Sequence, residues 1–203
     1  MFRIQEAIKY GWDKFKANLQ LSILTTLLTV IVGFVGDKTY WFIGIVMIVA
    51  SIIIRIGYTK IFLKITDGES PKFAEIFQEY PLFWKYAGVS ILQGLAMIGG
   101  IILLIIPGII WGVRFSFAGL ILIDTRTSPM SAMKESYAIT KGKFWQVFWF
   151  LIVVGLINIL GFIAFGIGLL VSIPISLFAQ IYVYRELSKA KAGLIETVSP
   201  QSA

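Results

Sequence analysis

Two arginines, Arg55 and Arg114, fall inside long apolar runs and are the residues of this chain best placed to do chemistry. A charge at membrane depth is costly unless it finds a partner or water. The planar guanidinium fork suits bidentate contact with a phosphate. No Asp or Glu lies within any apolar run: Asp124 and Glu186 stand at run ends, and Asp37 stands in a short connection. An internal carboxylate partner is therefore lacking, unless Asp124 reaches one of the arginines. Arg55 is followed by Lys60 and Lys64 in the same run. Arg55, Lys60, Lys64 and Arg114 together are read as a cationic pocket open to the inner leaflet, able to hold an anionic lipid headgroup or amphiphile. The competing reading is structural, with both arginines capping backbone carbonyls and snorkelling to headgroups.

Other chemistry is scarce. The chain has no His and no Cys. That excludes disulfides, thiol nucleophiles, thiolate metal sites and imidazole proton shuttles. No HExxH, GxSxG or phosphate-cradling loop occurs, so the expectation is a protein that is not an enzyme and has no cofactor or metal. Small and polar residues do recur within the apolar runs: Gly108, Gly112 and Ser116; Ser22, Thr26, Thr29 and Gly33; Gly155, Asn158 and Gly161. Close helix packing is their ordinary use, although a transport path has the same pattern.

The elements that must position these groups follow from hydropathy. The chain is 58% hydrophobic and 14% charged, with a mean hydropathy of +0.85. Six apolar blocks stand out: Leu19–Gly36, Trp41–Ile65, Phe83–Ile106, Gly108–Ile123, Phe144–Phe165 and Gly168–Tyr184. Each is read as a transmembrane helix, the fourth being the shortest. Of the 18 Lys and Arg, 15 lie in the N-terminal segment, the connections after the second and fourth blocks with their flanks, and the C-terminus. Lys38 stands alone on the other side. The positive-inside rule then puts both termini in the cytoplasm, in a prokaryotic cytoplasmic membrane. The net charge of +7 is this topogenic signal and implies no nucleic acid partner. Charges at Arg3, Glu6, Lys9 and Asp13 interrupt the N-terminus, so no cleavable signal is expected.

Three units follow one another, at about 1–69, 70–127 and 128–191, with 192–203 expected as a disordered tail. A shift of 61 residues places Trp84 on Trp145, Gly94 on Gly155 and Gly100 on Gly161, and Gly36 matches Gly100 more loosely. Tight external turns are expected at Asp37–Tyr40, at Pro107-Gly108 and at Gly166-Ile167-Gly168. Ser70-Pro71 and Ser128-Pro129 each suit an N-cap followed by the first helical residue. An amphipathic helix opens each unit, with apolar stripes Ile4, Ile8 and Phe15; Phe73, Ile76, Phe77 and Tyr80; and Met130, Met133 and Tyr137. These helices are read as lying in the membrane interface, with Trp12, Phe73, Phe77, Trp84 and Trp145 as interfacial anchors.

The run Ile106-Pro107-Gly108-Ile109-Ile110-Trp111-Gly112-Val113-Arg114-Phe115-Ser116-Phe117-Ala118, then Ser131–Tyr137, Thr140-Lys141-Gly142 and Tyr184-Arg185-Glu186-Leu187, resembles a family. It is the bacterial and archaeal six-span membrane domains that include the glycerophosphoryl diester phosphodiesterase membrane domain and its stand-alone relatives. The resemblance covers roughly residues 100–190. It implies six membrane helices with amphipathic linkers and does not imply phosphodiesterase activity. The expectation is a non-catalytic membrane binding or scaffold module. Its partners would be the bilayer, an anionic lipid or amphiphile, and a membrane or cytoplasmic protein. The alternative is a small-molecule or lipid transporter or channel subunit.

Overall fold

The computed structural model describes residues 2–35, 41–103, 105–163 and 168–198. Its described residues are all-helical, with no strand. Apolar runs rich in Leu, Ile and Val satisfy their backbone most readily as helices, since each N–H and C=O then bonds within its own segment. The helices are α1 (Ile4–Ala17), α2 (Leu19–Val35), α3 (Trp41–Thr66), α4 (Phe83–Leu103), α5 (Ile105–Arg114), α6 (Ala118–Thr125), α7 (Pro129–Thr140), α8 (Phe144–Ile163) and α9 (Leu169–Val198). Two short 3-10 turns, Phe73–Phe77 and Tyr80–Leu82, precede α4. Three helical stretches are long and apolar enough to cross a membrane: Phe73–Ile102, Ile106–Thr125 and Phe144–Ile163. The turn at Asp37–Tyr40 and residues Gly166 and Ile167 lie outside the described residues.

The segment ahead of α4 departs from the sequence expectation. It is not an amphipathic α-helix, and its apolar stripe does not face one way. Ile76 is fully buried while Phe73, Phe77 and Tyr80 are exposed. The acidic residues turn inward: Lys64 Nζ bonds Glu75 at 2.6 Å, and the Arg126 guanidinium bonds both Glu79 oxygens at 2.9 Å. The cause is Gly57. Its bare Cα lets the Ile76 backbone lie directly on α3, where a Cβ would stand 2.7 Å from the Ile76 Cα. Lys72, rather than Ser70, takes the N-cap position of the first turn.

The other two amphipathic segments pack on helices. α1 buries Ala7, Gly11 and Phe15, with Phe2 buried just ahead of it and Ile4 and Ile8 packed alongside. It runs antiparallel to α9: Tyr10 meets Tyr182, with ring centroids 4.9 Å apart, and a Cβ on Gly11 would clash with the Ile175 carbonyl. In α7, Ser128 accepts from the Ser131 N–H at 3.2 Å with Pro129 at the first helical position, a cap contributing about 1 kcal/mol. The buried face of α7 is Ala132, Met133, Ser136, Ile139 and Thr140, and the expected stripe residues Met130 and Tyr137 are exposed.

The fourth apolar block is two helices. α5 ends at Arg114 and α6 begins at Ala118. The freed backbone groups find partners on neighbouring helices. Ser136 Oγ donates to the Arg114 carbonyl at 2.8 Å and accepts from the Phe117 N–H at 3.3 Å, and the Gln93 amide donates to the Phe115 carbonyl. Pro107 and Gly108 sit inside the first turn of α5 instead of forming the connection, because proline lacks an N–H and first-turn residues donate no intrahelical bond. The helix α9 continues to Val198, so residues 192–198 are helical where a disordered tail is expected.

Glycines close two helix pairs at one end. A Cβ on Gly100 would stand 2.6 Å from the Gly108 Cα, bringing α4 against α5. A Cβ on Gly161 would strike Ser172 and stand 3.1 Å from the Gly168 carbonyl carbon, bringing α8 against α9. Gly94 and Gly155 have nothing within 4 Å of such a Cβ.

Candidate functional site

The side chains that converge in the bundle are neutral hydrogen-bonding groups around one arginine. Thr29 comes from α2, Arg55 and Thr59 from α3, Asn158 from α8, and Ser176 and Gln180 from α9. With Tyr58, Ile173 and Leu177 they line a cavity of about 370 Å³. The spacings follow from helix periodicity: 55, 58 and 59 share one face of α3, and 173, 176, 177 and 180 share one face of α9.

Hydrogen bonds hold the wall in place. Asn158 Nδ2 donates to Ser176 Oγ at 2.9 Å, and Ser172 Oγ donates to Asn158 Oδ1 at 3.0 Å. Pro174 lies between the two serines and removes one donor from the α9 ladder. The Thr26 hydroxyl pairs with the Tyr58 hydroxyl at 3.1 Å. One turn before Thr26 on α2, Ser22 Oγ is buried without a hydrogen-bond partner among the described residues.

The four cations of the expected pocket do not come together. Arg55 faces the cavity, and among the described residues its guanidinium has neither a carboxylate nor a carbonyl partner. Lys60 is half-buried and lines no part of it. Lys64 is committed to Glu75 at 2.6 Å, with Glu69 at 3.9 Å. Arg114 stands apart, its guanidinium carbon 5.0 Å from the Tyr137 ring centroid and 5.8 Å from that of Phe144. Its Nη1 is buried without a hydrogen-bond partner among the described residues. Attraction to two ring faces takes the place of an ion pair there.

Carbonyl capping is done by lysines instead. Lys14 Nζ donates to the Ile65 carbonyl at 3.2 Å and Lys85 Nζ to the Arg126 carbonyl at 2.7 Å. Asp124 reaches neither interior arginine. It accepts from Tyr184 Oη at 2.7 Å and from Arg185 at 3.0 Å, and Arg185 also binds Asp67 at 2.9 Å. One arginine in the middle of α9 thereby joins the ends of α3 and α6. Sequence reasoning missed this cluster because the pairs bonded across it are 60 or more residues apart and each member lies in an ordinary charged flank. The expected anchors Trp84 and Trp145 are 81% and 68% exposed at the first turns of α4 and α8. Trp12 is also exposed, with Lys16 Nζ 5.6 Å from its ring centroid.

The Glu75 contact makes a pH prediction. The Lys64 ammonium, and then the Lys72 backbone N–H, hold the Glu75 carboxyl below the usual carboxylate range. A depressed folded pKa stabilises above the unfolded value, about 4.3 for Glu, and that contribution disappears as pH falls through the folded value. The melting temperature of the detergent-solubilised protein should therefore fall with acidification more steeply for wild type than for Glu75→Gln. Parallel curves would mean the pair contributes nothing.

No protein-family model matches the chain, and no solved structure matches it. It is similar to uncharacterized proteins of Mycobacterium bovis (Mb2590), 28% identical over 171 residues, and of Mycobacterium tuberculosis (Rv2560), 27% identical over 171 residues. Each match takes in 74% of this chain and 50% of the relative, so the chain spans about half the length of the curated relatives it matches.

Proposed function

We propose that the chain is a non-catalytic binding module of a prokaryotic cytoplasmic membrane, and that it holds the anionic head of a lipid or other amphiphile on Arg55. In this reading α2, α3, α4, α5 with α6, α8 and α9 are six spans in three hairpin units, with both termini cytoplasmic. The one-sided distribution of Lys and Arg supports that topology, as does the likeness to six-span membrane domains. The equivalent glycines Gly100 and Gly161 support the repeat, since each closes its own helix pair. The exposed Trp12, Phe73, Phe77, Trp84 and Trp145 then lie in the headgroup layer as anchors.

One observation carries the ligand: Arg55 lines a polar cavity and has no carboxylate partner among the described residues. Arg55 is exposed at the open side of the cavity; in the membrane reading its guanidinium lacks a counter-charge, and a phosphate head supplies both charge and hydrogen bonds. Native mass spectrometry of gently solubilised protein with added phosphatidylglycerol tests this. Wild type should retain the lipid and Arg55→Gln should lose it, while Arg114→Lys should retain it, because Arg114 is occupied by aromatic rings. Equal occupancy in wild type and Arg55→Gln would remove Arg55 from the site. The second reading, a carrier for the same amphiphile, is favoured by the cavity's position between a tightly packed and a loosely packed half of the bundle.

A further inference from the structure

We propose that this cavity takes its ligand from the side of the membrane opposite the chain termini, and that the ligand carries an alkyl tail which leaves along the loosely packed half of the bundle. The proposal rests on the reading of Arg55 as an anion-binding group and adds the route and the shape of the ligand.

Burial divides the bundle at the cavity. On α3 every residue from Ile54 to Leu63 except Arg55 and Lys60 is buried, whereas none of the described side chains from Val46 to Ile53 is. On α8, Val147, Phe150 and Val154 are buried, and beyond them, to Ile163, only Gly161 is. On α4 only Gly100 is buried between Ser90 and Ile102. On α9, Ser172, Pro174, Ile175 and Ser176 are buried level with the cavity and Phe178, Ala179, Ile181, Val183, Tyr184 and Leu187 beyond it, whereas Leu169, Leu170 and Val171 are half-buried. The tight half holds the C-terminal part of α9 and the N-terminal helix α1 packed against it. The first described residue, Phe2, adjoins Lys189 and Ala190 of α9 there.

The cavity floor on that side is dry. Behind Tyr58 the rings of Phe62 and Phe178, both fully buried, lie with centroids 4.4 Å apart. Further along, Arg185 ties Asp67 to Asp124. A ligand arriving from the termini side must part an aromatic layer and an ion-pair cluster, both of them closed. On the other side Gly100 and Gly161 close the pairs α4–α5 and α8–α9, but no aromatic layer or ion-pair cluster lies beside the cavity among the described residues. One helical turn from Arg55 are the half-buried Ser51 and Ile52; one turn from Asn158 is Phe162, 64% exposed; one turn from Ile173 are Leu169 and Leu170. A polar lining with an apolar, open margin matches an anionic head joined to an alkyl chain. It matches a free inorganic anion poorly, because such an anion draws nothing from the margin.

Because the protein has no native Cys, single-Cys variants test the route directly. Thr29→Cys and Ser176→Cys line the cavity, and Lys189→Cys marks the termini side. Each is reacted with a membrane-impermeant thiol reagent in right-side-out and in inverted vesicles. The cavity positions should label only from the face where Lys189→Cys does not. Dodecyl phosphate should slow that labelling, inorganic phosphate should not, and Arg55→Gln should abolish the protection. Labelling of both cavity positions from the Lys189 face, or from neither face, would overturn the route. Protection by inorganic phosphate equal to that by dodecyl phosphate would overturn the alkyl tail. Cavity labelling from the expected face with protection unchanged in Arg55→Gln would overturn the role of Arg55 while leaving the route intact.

Discussion

Gly57→Leu should detach the 71–82 segment from α3 while the rest of the bundle stays folded. The Ile76 backbone occupies the space that any side chain at position 57 requires: a Cβ there would stand 2.5 Å from the Ile76 carbonyl carbon and 2.7 Å from its Cα. Backbone cannot swing aside as a side-chain tip does, so the contact must open. Opening it exposes Ile76, fully buried in the native fold, at a cost of about 1.5–3 kcal/mol. It also separates Lys64 from Glu75 and Glu79 from Arg126. Overpacking penalties of this kind reach about 3 kcal/mol or more. Ile76→Cys provides the readout. It should resist thiol labelling in the wild-type background and react readily beside Gly57→Leu, with a lowered melting temperature. Continued protection and an unchanged melting temperature would show that the segment is not held by this contact. Gly57→Ala should act in the same direction with a smaller effect.

Gly161→Leu and Gly100→Leu should each destabilise one helix pair by about 2–4 kcal/mol. At Gly100 the obstruction is the backbone of Pro107 and Gly108; at Gly161 it is Gly168 and the Ser172 side chain. Displacing Ser172 also withdraws the hydroxyl that bonds Asn158, so Gly161→Leu should weaken ligand retention at the cavity and Gly100→Leu should not. Gly94→Ala and Gly155→Ala are the matched controls. A Cβ at either position meets nothing within 4 Å, and replacing a mid-helix glycine by alanine there should stabilise by about 0.5–1 kcal/mol. Melting temperatures of the four variants in one detergent decide the matter. Equal losses at 100 and 161, with gains at 94 and 155, would support two equivalent hairpins. Four indistinguishable values would remove these glycines from the packing.

What can be known from sequence here is what depends on composition and local backbone need. Runs such as Phe144–Phe165 are expected to be helical because an apolar backbone out of water can satisfy itself only internally, and α8 begins at Phe144 and runs to Ile163. The absence of His and Cys closes whole classes of chemistry regardless of fold. Ser128-Pro129 announces the start of α7 because capping involves residues three apart.

Facing was decided elsewhere. Glu75 and Glu79 read as the wet side of an amphipathic helix, yet they turn inward because Lys64 and Arg126 wait there and Gly57 admits the Ile76 backbone. The break after Arg114 has no helix-stopping residue of its own. It persists because Ser136 and Gln93, from other helices, satisfy the backbone groups it frees. Arg55 and Arg114 look alike in sequence, each a lone cation in an apolar run. Tertiary packing gives Arg114 two aromatic faces and leaves Arg55 in a polar cavity with no carboxylate partner among the described residues. A side chain's type is local, whereas its partners are set by which helices meet, and only the folded bundle decides that.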